Sequence, residues 1–260
     1  MIDIEIEIEP TFTTARGNVS EWIDHARQWE ACWRRNEAFE SHNESGVRAT
    51  SGQRQLPESD LDEMDLTNRV SEIWVQMPNR SRMVARRLGK TSFAFDSLEI
   101  FNPREHLQCH LEGDRVVAAF TQPTSSSNRE DLGTFCCANF SNEALALLQP
   151  KCFVHGWKPT AEARPIDHFG MPAYEIRMEP VVPFSDPRMC GDHFNPNILM
   201  EIEDVEFVIH REQGVILEWR ALLDGEVYER HWFTSVDFDV PVDETLFDRS
   251  SLPGDVTIER

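Results

Sequence analysis

Two Cys-x-x-His pairs stand out by residue type: Cys152 with His155, and Cys190 with His193. Zinc takes tetrahedral sets of thiolates and imidazoles, so these are ligands of the right kind. Their setting is wrong for it. Residues 151–157 read as a strand, where side chains three apart point to opposite faces. Cys152 and His155 therefore diverge, and no metal is expected. Cys136 and Cys137 are adjacent, and a disulfide between neighbours strains the backbone. Two thiols in a strand are the simpler reading. With Cys32 and Cys109 they complete an irregular set of six in 260 residues, which is not a disulfide framework.

Other catalytic signatures are missing. The sequence has no Gly-x-Ser-x-Gly elbow, no Gly-rich phosphate loop and no His-Glu-x-x-His helix. Nine histidines are scattered along the chain: His25, His42, His106, His110, His155, His168, His193, His210 and His231. His106 and His110 flank Cys109 without forming a ligand set. Carboxylates are so numerous that any pair of them discriminates nothing. No catalytic residue and no cofactor is assigned, and the expectation is a protein that is not an enzyme.

Charge narrows the partners. The formal net charge is −21 and the isoelectric point about 4.7. Such a surface repels phosphate backbones and anionic membrane surfaces, so no nucleic acid is expected. The simplest use of the acidity is solubility. No apolar run reaches the length of about 18 residues that a spanning helix needs, so no transmembrane segment is expected. The opening MIDIEIEIEP has neither a basic nor an apolar signal-peptide region. As given, the chain is expected in the cytoplasm, and export would require a leader preceding it.

The elements that would position a site follow from periodicity. Residues 2–9 alternate Ile with Asp or Glu, suiting an edge strand or a solvated tail, and residues 1–17 are set apart on that basis. Asn18 with Glu21 three residues on resembles a capped helix start. Trp22, Ala26, Trp29 and Trp33 then fall at spacings that form one helical stripe. Core packing onto a sheet is the plain reading of that stripe; a helix closing one side of a cavity is the functional one. Strands are predicted at Val70–Met77 and Arg80–Arg87 around the turn Pro78-Asn79, then at 91–95, 98–101, 151–157 and 170–178. Residues 121–131 read as a polar loop and Asn142–Leu148 as a short helix. The Pro-rich residues 180–197 read as an insertion loop within a single domain over 18–260.

The C-terminal stretch is the most regular. Val205–Ile209, Val215–Leu223 and Val227–Val236 are three strands, joined by a turn ending in Gly214 and by Asp224-Gly225, a pair suited to a tight type I′ turn. In the third strand Tyr228, Trp232, Thr234 and Val236 are set against Glu229, His231 and Ser235, with Arg230 breaking the alternation.

This stretch, closing on Phe238-Asp239-Val240-Pro241-Val242 and Phe247, resembles the tail of LolA-like proteins. These form the lipoprotein-carrier and RseB-type superfamily, and the likeness is to its divergent actinobacterial members. The segments Glu72–Val84, Ile100-Phe101-Asn102-Pro103, Leu147-Leu148-Gln149-Pro150 and Gly170–Met178 resemble that family too, so the likeness covers residues 70–247. It implies an α+β fold: one large curled antiparallel sheet, an open half-barrel, with a helix packed on its concave side. It further implies a non-enzymatic binder of a lipid, lipoprotein, acyl chain or other hydrophobic small molecule, or a regulatory sensor. Trp22, Trp29, Trp33, Trp74, Trp219 and Trp232 are the expected cavity lining. The other reading is a protein–protein interaction module whose core is filled by its own side chains. Unlike most of that family, the sequence shows neither signal peptide nor lipid-attachment Cys near residue 1, which fits a cytoplasmic paralogue.

Overall fold

A computed structural model describes residues 11–28, 30–31, 67–88, 96–123, 147–148, 157–180 and 204–252. Twelve strands form one sheet: β1 (Thr14–Ile23), β2 (Thr67–Gln76), β3 (Arg80–Arg87), β4 (Asp96–Phe101), β5 (Glu105–Glu112), β6 (Arg115–Pro123), β7 (Trp157–Pro159), β8 (Arg164–His168), β9 (Met171–Pro180), β10 (Asp204–His210), β11 (Ile216–Leu223) and β12 (Glu226–Phe238). Their order is β6-β5-β4-β3-β2-β1-β12-β11-β10-β9-β7, with β8 also on β9, and all pairings are antiparallel. The path does not return on itself, so the sheet is open. β1 sits in the middle, joining the N-terminal meander β2–β6 to the C-terminal meander β9–β12.

The predicted helix start at Asn18 is corrected. Residues 14–23 form β1, because Ala15, Gly17, Val19 and Ile23 recur with period two and both strand edges are paired. The helix begins after Asp24 instead. The Asp24 carboxylate accepts the Arg27 N–H at 3.1 Å, and its carbonyl accepts the Gln28 N–H at 2.9 Å. That is N-capping followed by the first helical hydrogen bond. Residues 25–28 and 30–31 are helical, and Trp22 lies before the helix, on β1.

By register, one face of the sheet carries Ala15, Val19 and Ile23 of β1, Ile73 and Val75 of β2, Phe233 of β12, Trp219 of β11 and Phe207 of β10. We call this the inner face. Its apolar residues form the main core, which also takes in Phe12, Ala31, Leu147, Leu148 and Trp157. The helical residues Ala31, Leu147 and Leu148 therefore cover this side. At the other end of the sheet a smaller core uses the opposite face, with Leu98, Ile100, Leu107, Cys109 and Ala119 packed beneath Leu252. A C-terminal strap of two 3₁₀ turns, Glu244–Phe247 and Arg249–Ser251, crosses it. Arg82 fixes the strap by donating to Ser251 Oγ at 2.7 Å, and Asn102 donates to the Phe247 carbonyl at 2.9 Å.

Turn chemistry matches the sequence at Asp224-Gly225, where both residues have positive φ, 54° and 80°. The meander β5–β6 and the strand β8 were not predicted. Gly113, at φ 61°, makes the β5–β6 turn, and β6 runs into residues expected to be loop. The expectations for residues 2–9, 47–55, 91–95, 181–197, the vicinal pair Cys136-Cys137 and both Cys-x-x-His pairs lie outside the described residues. So do those for Cys32, His42, Trp33 and the Trp29 side chain.

Two consequences are testable. A Cβ added at Gly17 would lie 2.7 Å from the Phe233 ring and 3.0 Å from a backbone oxygen of the partner strand. Gly17→Ala should therefore destabilise by about 1–3 kcal/mol through overpacking, as read by chemical denaturation. Burial pushes the Cys109 thiol up to about 11. At about pH 8 it should resist iodoacetamide in the folded protein and react once unfolded, as read by peptide mass mapping.

Candidate functional site

The tryptophans named from sequence divide between the two faces. Trp219 lies on the inner face, fully buried. Trp22, Trp74 and Trp232 share the outer face by register and are half-buried. Arg16 lies over Trp74 at 5.6 Å and Arg230 over Trp232 at 4.3 Å, so both outer rings serve cation–π contacts at a charged surface.

The division traces to β12. Two residues on that strand have no opposite number: Tyr228 against β11, and Thr234 against β1. Each is a β-bulge, and each shifts the inward phase by one residue. Between them Glu229, His231 and Phe233 point to the inner face, while Arg230 and Trp232 point out. This corrects the alternation expected from sequence, which set Trp232 with Tyr228 and Val236.

The bulges place a charged cluster in the apolar core. His231 is fully buried and stacks on the Trp219 ring at 4.4 Å with a 9° interplanar angle. Its Nε2 lies 2.9 Å from Glu229 Oε1 and its Nδ1 lies 3.7 Å from Glu21 Oε2. Arg69 donates to Glu21 Oε2 at 2.7 Å. From the helix, Gln28 Nε2 donates to Glu229 Oε2 at 3.2 Å, and the same amide's Oε1 meets His25 Nδ1 at 3.1 Å. One polar chain thus runs from the helix through β12 and β1 to β2. Burying such charges is costly unless every one is matched, and a site of this kind earns a specificity or switching role before a stabilising one. Sequence reasoning missed these residues. The available signal was Arg230, the point where the alternation broke.

The outer face of β8–β12 carries a second ionic set. Arg230 grips Glu218 with two bonds of 2.9 Å, and Arg220 reaches Glu175 at 2.8 Å and Glu206 at 3.1 Å. His168, whose protonation is disfavoured mainly by burial, lies 3.5 Å from Glu218. Among the described residues no group of three His, Cys, Asp or Glu side chains is placed to hold a metal ion. Among them, too, no helix is long and apolar enough to cross a membrane.

No protein-family model matches the sequence, and no curated protein matches it at a significant level. Solved structures do share its architecture. An uncharacterized conserved protein from Thermus thermophilus is similar with a TM-score of 0.44 at 8% identity, over 96% of this chain and 91% of that one. MucB of Pseudomonas aeruginosa, in its complex with MucA, is similar with a TM-score of 0.42 at 12% identity over 94% of this chain. This chain spans only 58% of that one. A LolA superfamily protein from Nitrosomonas europaea gives 0.29 at 8% identity, over 95% and 94% of the two chains. LolA-like and MucB-type structures are thus among the neighbours, in keeping with the motif resemblance of Val205–Phe247. At these scores the likeness assigns no function to this chain.

Proposed function

We propose that this chain is a non-catalytic binding protein that takes a hydrophobic ligand, such as a lipid or an acyl chain, between the inner sheet face and its helical cover. The observation that carries this reading is the make-up of the cover. An aromatic sheet face bearing Trp219, Phe207 and Phe233 meets the helical residues Ala31, Leu147 and Leu148, and no second sheet is seen among the described residues. Short helices can lift from a sheet without breaking its ladder, whereas two packed sheets cannot part so readily. Trp219 is then one wall of the site.

A second reading has its own support. Trp219, Phe207, Tyr228 and Phe233 are each 0% exposed, as expected of a core filled by its own side chains. In that case the chain acts through a protein partner at its surface. Native mass spectrometry of protein purified without detergent, before and after incubation with oleate, separates the two. A one-to-one oleate adduct that survives mild activation supports the ligand reading. Its absence leaves the interaction module.

A further inference from the structure

The charged cluster beneath the helix has a feature that packing alone does not require. Among the described residues, the titratable groups facing the His231 ring are Glu229 on its own strand and Glu21 on β1. Arg69 of β2 lies behind Glu21. From β11 the neighbour is the Trp219 indole, and from the helix it is His25, acting through Gln28. Two carboxylates therefore share one guanidinium. With a neutral imidazole the buried set carries one excess negative charge. With an imidazolium it balances, and each ring nitrogen has a carboxylate oxygen to face. An excess charge in an apolar core is the costlier state by far.

We propose that His231 is held as an imidazolium, and that its proton closes a latch between the sheet and the helix over the inner face. The proton fixes the Glu229 carboxylate between His231 Nε2 and Gln28 Nε2. When the ring loses its proton, Glu229 and Glu21 oppose each other across a neutral imidazole. Glu229 then turns away, and Gln28, the helix's hydrogen-bonded hold on the cluster, goes with it. The latch is closed at low pH and opens as pH rises through the titration of His231. Opening would uncover the face assigned above to a hydrophobic ligand, and that consequence rests on the ligand reading.

The latch is tested without any ligand. Amide hydrogen exchange of residues 26–28, corrected for intrinsic rates, is followed from about pH 5.5 to about pH 9 alongside the imidazole NMR signals of His231. Protection of the helix should fall at least tenfold in step with the loss of the His231 proton. Gln28→Ala should lower protection at the acid end and remove its pH dependence, while His231 still titrates. Protection that is flat across this range, or that changes without His231 titrating, overturns the proposal. So does a pH dependence that survives Gln28→Ala. Binding of the dye bis-ANS is then measured at both ends of the range. Dye bound equally at both ends contradicts the latch and leaves the ligand reading standing. Exchange that follows His231 with no dye bound at either end keeps the latch and removes the ligand reading.

Discussion

Arg69→Met is expected to cost about 3–5 kcal/mol of folding stability, because removing one partner of a buried ion pair leaves the other charge without its match. Arg69 and Glu21 keep only 17% and 10% of their side-chain surface exposed, and they meet at 2.7 Å. Glu21 also faces His231, so the loss falls on a set of charges and not on a single pair. The proper control is Arg16→Met. Arg16 meets Glu72 at 2.9 Å, a similar distance, but the two side chains are 55% and 35% exposed. A surface pair of that kind is worth about 0–1 kcal/mol. Urea denaturation of both variants gives the comparison. Equal midpoints for Arg69→Met and Arg16→Met would mean that water reaches the cluster and that the charges are not buried as described.

The second large effect is expected at Trp219. Trp219→Ala should destabilise by about 3–5 kcal/mol, since a ring with no exposed surface leaves a cavity that its neighbours fill only in part. It also strips the His231 imidazole of the indole it stacks on. Trp232 is one strand away and half-buried on the other face, over which Arg230 lies at 4.3 Å. Trp232→Ala should therefore cost only about 1 kcal/mol, the worth of an exposed cation–π contact. Alternation read straight through β12 sets Trp232 inward with Tyr228 and predicts a large loss there. The difference between the two variants, measured by chemical denaturation, reports the bulges directly.

Much of the architecture is legible in the sequence. Asp224-Gly225 marks its hairpin because so few residue pairs accept two positive φ angles, and Pro78-Asn79 marks the β2–β3 turn for a similar reason. The strands they join have the apolar alternation of a half-buried sheet. The helix at residues 25–31 is misplaced by reading alone, since Trp22, Ala26, Trp29 and Trp33 fit a helical stripe as well as Val19, Glu21 and Ile23 fit a strand. The choice is made by β2 and β12, whose hydrogen bonds β1 collects on both edges. The candidate site is hidden for a different reason. Glu229 and His231 look like solvent-facing residues in an alternating strand. Only the unpaired Tyr228 and Thr234 turn them inward, and a bulge has no residue signature strong enough to read from one sequence. Glu21 and Arg69 are likewise ordinary charges until the pairing of β1 with β2 sets them side by side.

The central claim is that the inner face, and not the charged outer one, receives an apolar ligand. Its most direct test is an NMR titration of the folded chain with oleate, following the indole N–H signals of Trp219 and Trp232. Saturable shifts at Trp219, with Trp232 unmoved, are the predicted result. Shifts confined to Trp232, or no saturable shift at either ring, would contradict it.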